Sequence, residues 1–128
     1  MKIDSKLVED SEYLCDLELC QLRLMKDGDV DWFILVPKRE DIREWYQLSE
    51  ADQILLTKEI SFVSQKLREI KAYKINIASL GNMVPQLHIH IIARYPDDRA
   101  WPGAIFNTKN KKEFDSKRVD FWKKKINL

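Results

Sequence analysis

Apolar positions along the chain follow two different periods, and the change of period separates strands from a helix. Between Leu14 and Met25 the alternation is short: Leu17 and Leu19, then Leu22 and Leu24. Parity slips between the two pairs, so this stretch reads as extended chain with a bulge or bend. Lys26-Asp27-Gly28-Asp29 follows, and an Asp-Gly pair between apolar runs marks a hairpin. Trp32-Phe33-Ile34-Leu35-Val36 is continuously apolar and is stopped by Pro37, the pattern of a strand buried on both faces.

Ser49 opens a helix. Its hydroxyl is placed to cap the amide of Asp52, while Glu50 and Asp52 suit the positive N-terminal pole. Leu56, Ile60, Val63, Leu67 and Ile70 then recur at helical spacing, one apolar stripe that must face a core. Two more strands are predicted, Lys74 to Ala78 and Pro85 to Arg94. The order strand, strand, long helix, strand, strand predicts an α+β fold, an antiparallel sheet with one long helix packed on it. Past Arg94 the chain turns through Tyr95-Pro96-Asp97-Asp98 into Trp101-Pro102-Gly103, and a last helix is predicted over Phe114 to Ile126.

Length and charge narrow this picture. With 128 residues and a hydrophobic share of 45%, the chain suits one domain with one core. We divide it into a domain over residues 1–106 and a basic tail over 107–128. No apolar run approaches the ~20 residues of a membrane helix, and the polar start does not resemble a secretory signal. The cytoplasm is therefore the expected compartment. Cys15 and Cys20 are too few for a disulfide framework and are read as reduced. A net charge of +1 gives no pull toward nucleic acid or an acidic membrane. The tail is the exception, with eight basic residues against three acidic. It reads as a solvated face, or as lysines approaching a polyanionic ligand.

Both histidines of the chain lie in Gly81-Asn82-Met83-Val84-Pro85-Gln86-Leu87-His88-Ile89-His90-Ile91-Ile92-Ala93-Arg94. On a strand Gln86, His88 and His90 share one face, while Leu87, Ile89 and Ile91 point into a core. Three chemistries fit such a stripe. The histidines are ordinary hydrogen-bonded polar groups; or His88 and His90 share a metal ion, which then needs a third ligand; or one imidazole is a nucleophile or general base beside polar helpers. Spacing alone does not choose among them.

The run Gln86-Leu87-His88-Ile89-His90-Ile91-Ile92 resembles the signature of the histidine triad family, His-φ-His-φ-His-φ-φ with φ apolar. Gly81 and Val84 fall where that family has them, and Trp32 to Lys38 resembles its strand ending in Leu-Val-Ile-Pro-Lys. The likeness extends to a bacterial branch with Gln at the first triad position, followed by Ala-Trp-Pro, here Ala100-Trp101-Pro102. The resemblance covers roughly residues 13 to 106. It implies that the middle histidine, His88, attacks the α-phosphorus of a nucleotide, and that water then releases a nucleoside monophosphate from the nucleotidyl-histidine. His90 and Asn82 become candidate donors to the phosphoryl oxygens, with Gly81 allowing close backbone approach and Arg94 adding charge. A neutral imidazole suits the task because its ordinary pKa is about 6.5.

Several residues depart from the family pattern. Gln86 replaces the first histidine, leaving room for a phosphate contact or a bridge to His90 but no proton charge. Met83 stands where many relatives carry a serine or threonine, and Asp31 stands where a proline is expected. Asp27 is a candidate for a ribose hydroxyl or a turn, Trp101 for closing over a base, and Leu22, Leu24 and Phe33 for a base pocket. The resemblance further implies a homodimer that joins two sheets, using the long helix and the Lys74 to Ala78 strand. No cofactor or metal is called for. The substrates expected are nucleotides, with dinucleoside polyphosphates such as diadenosine tetraphosphate among them. The rival is a nucleotide-binding module without turnover.

Overall fold

The computed structural model describes residues 1–127. Five strands form one antiparallel sheet: β1 (Ser11–Asp16), β2 (Cys20–Met25), β3 (Trp32–Pro37), β4 (Lys74–Ala78) and β5 (Ile89–Arg94), in the spatial order β1-β2-β3-β5-β4. Helices α1 (Ser5–Asp10), α2 (Glu50–Glu69) and α3 (Lys117–Lys125) pack around it. The predicted α+β class, a sheet with one long helix on it, is the observed one.

Two strand boundaries differ from the pattern reading. The parity slip after Leu17 is a full reversal, so Leu14 to Met25 holds two paired strands. Leu17 closes the turn by donating to the Cys20 carbonyl at 2.8 Å. The buried Glu59 of α2 accepts from the Leu19 and Cys20 amides at 2.8 and 2.9 Å, so the long helix holds the tip of the hairpin. The bulge itself lies between Tyr13 and Cys15. The other difference concerns β5, which begins at Ile89 and not at Pro85. Pro85 has no N–H to give a ladder, and Leu87 donates to the Ile42 carbonyl at 2.9 Å in place of a neighbouring strand.

The long helix follows its sequence signals closely. Ser49 accepts from the Asp52 amide at 3.1 Å, and Leu56, Ile60, Val63 and Leu67 are buried. Ile70 terminates the helix and is partly buried against the core. This stripe packs on one face of the sheet, over Leu22, Leu24, Phe33, Leu35, Ile89 and Ile91. The opposite face presents Ile34 and Val36 to Leu7 of α1, and Trp32 and Ile92 to Ile105. Both faces of β3 are thereby covered, as its unbroken apolar run requires.

The last helix is shorter than predicted, and the segment drawn as a tail reaches the main core. Trp122 is fully buried, edge-on to Phe33 with ring centroids 4.8 Å apart, and Ile126 is buried beside it. The β2–β3 hairpin, marked by Asp27-Gly28, grips this segment through its aspartates. Asp31 accepts from Arg118 at 2.7 Å and from the Trp122 indole at 2.9 Å. Asp29 accepts from the amides of Lys111 and Lys112, both at 2.9 Å. Gly28 lies directly beneath: a Cβ there would stand 2.1 Å from the Lys112 carbonyl oxygen, so only glycine lets the two backbones pass.

Replacing Trp122 by alanine should therefore remove about 3–5 kcal/mol of unfolding free energy, the range for deleting a buried aromatic ring. Urea unfolding measures it; a loss under about 1 kcal/mol would mean that α3 is not part of the cooperative fold.

Candidate active site

The site starts from strand register. β3 and β5 pair so that Ile34 lies opposite His90 and Trp32 opposite Ile92. Residues opposite one another share a face, and so do residues two apart. Trp32, Ile34, His90 and Ile92 therefore project together from the face away from α2. The Trp32 indole N–H donates to His90 Nδ1 at 2.9 Å. An indole nitrogen can only donate, so Nδ1 must accept and the ring proton of His90 sits on Nε2. Burial, and then the neighbouring His88, lower the His90 pKa to about 4. His90 is thus a neutral ring that offers one N–H.

His88 has the opposite arrangement. Its Nδ1 lies 2.7 Å from the backbone carbonyl oxygen of Gln86. That oxygen can only accept, so Nδ1 carries the proton and Nε2 of the neutral ring keeps its lone pair. The two rings meet edge to face with centroids 4.9 Å apart. One imidazole is left with a free lone pair on Nε2 and its neighbour with an N–H there.

Both rings border a cleft of about 430 Å³, within the range of small-molecule sites. His88 is only 5% exposed, yet open space lies against it. One wall is the loop Gly81-Asn82-Met83-Val84, and Gly81 takes a φ of 68°, a left-handed conformation that glycine adopts without strain. The other wall is Ile105 to Thr108, with Phe106 edge-on to His90 at 5.0 Å and to Trp32 at 5.4 Å. A larger groove, about 590 Å³, opens between the N-terminal segment and Arg39 to Arg43, but neither histidine borders it.

Residues 6–97 match the HIT domain family, and these are the residues that carry the two histidines, the strands that seat them and the long helix. The chain belongs to the histidine triad family. The family is one of nucleotide-binding hydrolases and transferases. Solved histidine triad proteins are similar over nearly the whole length. That of Bradyrhizobium japonicum is 40% identical with a TM-score of 0.92, covering 98% of this chain and 94% of its own. Those of Sinorhizobium meliloti and Marinobacter aquaeolei are 39% and 37% identical, each with a TM-score of 0.92, covering 98% of this chain and 93% of theirs. None of the curated proteins compared is a match.

In this histidine triad protein, His88, His90, Gly81 and Asn82 of the sequence-derived candidates meet at the cleft, and Met83 stands at its rim, 94% exposed. The other candidates lie elsewhere. Gln86 does not bridge to His90; its side chain turns to the N-terminal segment, because it precedes the strand whose alternation would have aimed it at the cleft. Arg94 is buried in a pair with Asp98 at 2.7 Å and also donates to Asn76 and the Gly103 carbonyl, fixing the turn after β5. That guanidinium holds the Asp98 carboxyl well below the usual range. Asp27 accepts from Arg99 and from the amides of Asp29 and Val30, serving the hairpin turn. Trp101 packs against Tyr73 and Arg94. Leu22, Leu24 and Phe33 face α2 and the main core, on the far side of the sheet from the cleft.

Trp32 and Phe106 are the site residues that sequence reasoning missed. Trp32 shares parity with Ile34 on its strand, but which residue of β5 it meets depends on register, and nothing local encodes that. Among the described residues, no cluster of three or more His, Cys, Asp or Glu could hold a metal ion, so a shared ion on His88 and His90 finds no third ligand.

The pH dependence follows from His90. In the unfolded chain it titrates near its ordinary pKa of about 6.5, and in the fold near 4. Between those values the unfolded chain holds a proton that the folded chain does not, so stability falls as pH drops through this window and levels off below it. The wild type should lose more stability from pH 6.5 to 4 than His90→Gln, measured by urea unfolding across that range. Equal slopes would mean that His90 titrates normally.

Proposed function

We propose that the protein is a nucleotide hydrolase or nucleotidyl transferase acting at the α-phosphate through a covalent nucleotidyl-histidine on His88. The observation that carries this reading is the Gln86 carbonyl against His88 Nδ1 at 2.7 Å, which leaves the Nε2 lone pair of a ring bordering the cleft. His88 Nε2 attacks phosphorus, the bond from phosphorus to the leaving oxygen breaks, and its electron pair departs with that oxygen. Water then attacks the same phosphorus, the P–N bond breaks and returns its pair to Nε2, and the water proton passes to solvent. A transferase takes the same course with another acceptor in place of water.

Charge accumulates on the phosphoryl oxygens during both steps, so donors fixed toward them do most to lower the barrier. His90 suits this role because the Trp32 bond places its proton on Nε2 and burial keeps the ring neutral. Asn82 and the Gly81 backbone are the further contacts on the loop wall. Dinucleoside polyphosphates, diadenosine tetraphosphate among them, fit as substrates because their leaving groups depart as stable anions. The scheme needs no cofactor or metal. The binding-only reading draws on Gln86 being turned away and on Met83, which brings no hydroxyl to the rim.

Incubation with diadenosine tetraphosphate labelled in the α-phosphate tests both readings. Product release and acid-labile label trapped on the wild type are expected, undiminished by excess chelator. His88→Ala should lose turnover by at least about a thousandfold while folding normally. Binding without product would favour the non-catalytic module.

A homodimer through β4 is the expected assembly. This strand has an unpaired outer edge and a half-exposed Ile77. Light scattering should give twice the chain mass, and Ile77→Lys should give one chain mass. A wild type of one chain mass would remove the expectation.

A further inference from the structure

The carbonyl that orients His88 is not held by the sheet. Gln86 precedes β5, and its C=O belongs to the same peptide unit as the Leu87 N–H, which bonds to the Ile42 carbonyl at 2.9 Å. One end of that peptide is thereby anchored on the loop before α2. Residue 86 itself is held by its own side chain. Gln86 Oε1 accepts from the Asp4 amide at 2.7 Å, and Nε2 donates to the Lys2 carbonyl at 3.1 Å. A glutamine amide offers an acceptor oxygen and an NH2 group, and here the oxygen and one N–H are matched to backbone groups as a neighbouring strand would match them, while Nε2 also approaches Met1 Sδ at 3.9 Å.

The partner segment is seated in turn. Ile3 packs against the buried cluster of Leu7, Ile34 and Val36, the same cluster that Val84 of the cleft wall joins. Asp4 caps α1 by accepting from the Lys6 amide at 2.8 Å. A chain of contacts therefore runs from the first helix through residues 2–4 and the Gln86 amide to the peptide whose oxygen holds the His88 ring.

We infer that Gln86 is a positioning residue, and that the segment Lys2-Ile3-Asp4, clamped by its side-chain amide, sets the ring orientation and tautomer of His88. This assigns the first position of the triad a role through the backbone and not through substrate. It rests on His88 being the nucleophile. Ring orientation governs how often the Nε2 lone pair lines up with phosphorus, so a loosened clamp lowers kcat and spares ground-state binding.

The test uses substitutions at both ends of the clamp. Gln86→Leu removes both bonds at similar size. Asp4→Pro removes the donor N–H together with the side-chain cap of α1, and the Asp4 φ of −51° is one that proline adopts. Its reference is Asp4→Ala, which loses the same helix cap but keeps the N–H. We expect Gln86→Leu to lower kcat about tenfold with KM unchanged, and Asp4→Pro to lower it similarly relative to Asp4→Ala. The double variant should fall no further than either single one, because both break one linkage. Gln86→Glu, which keeps the acceptor for Asp4 but not the donor to Lys2, should restore part of the loss. A raised KM in Gln86→Leu with no effect of Asp4→Pro would place Gln86 on substrate and overturn the inference. So would lowered thermal stability with kcat intact.

A second readout does not depend on turnover. The His88 Nδ1–H signal in nitrogen-edited NMR should be sharp and slowly exchanging in the wild type, and broadened in Gln86→Leu and Asp4→Pro. If the protein proves to bind nucleotides without turnover, this signal still decides whether the clamp orients the ring. An unchanged signal in both variants overturns the inference.

Discussion

The pairing of β3 with β5 is the constraint on which the rest of the site depends. Both strands are buried on both faces, so a slip of one residue would drive His90 and Arg94 into the apolar layer under α2 and turn Ile89 and Ile91 to the side of the cleft. Burial on each side thus specifies register more firmly than the ladder hydrogen bonds could alone. That same register brings an indole N–H to an imidazole nitrogen 58 residues away. The chemistry of the cleft is a by-product of how two hydrophobic runs avoid water.

Within the cleft, two identical side chains divide the labour. His88 and His90 sit two residues apart, yet each has its Nδ1 engaged by a group of the opposite kind, a carbonyl oxygen for one and an indole N–H for the other. Neither partner can reverse its role, so the two tautomers are fixed in opposite senses without any charged residue in the arrangement. The low pKa of His90 has a separate origin, burial first and the neighbouring His88 second.

Much of this was legible in the order of residues, and what was not has physical reasons. The period of Leu56, Ile60, Val63 and Leu67 and the cap at Ser49 marked the long helix, because both signals are local and the helix lies on one core. The alternation of Ile89 and Ile91 against His90 marked the face the His90 ring must take. Gln86 was misplaced because strand alternation does not extend back before Ile89, where no ladder exists to enforce it. The break at Leu17–Leu19 read as a bulge or bend and not as a full reversal because no glycine or proline marks it; a carboxylate from a helix forty residues away satisfies its amides. Trp122 escaped because an aromatic among seven lysines and an arginine reads as polar, and only the fold shows that it fills the space beside Phe33. Asp31, odd as a replacement for proline, makes sense once its two partners on α3 are seen.

The C-terminal segment ties the cleft to the core. The part of the chain that matches the family ends at residue 97, while one wall of the cleft is Ile105 to Thr108 and the core is completed by Trp122. Between them, Arg99 bonds to Thr108, Asp27 and Asp29, and Asp29 in turn holds the backbone at Lys111 and Lys112. The cleft wall and the closing helix therefore hang from one hairpin. Changes that reshape the pocket on this side also strain the anchor of α3, so ligand preference and resistance to unfolding would drift together as this stretch of sequence diverges. That wall of the cleft cannot be redrawn without reopening the fold.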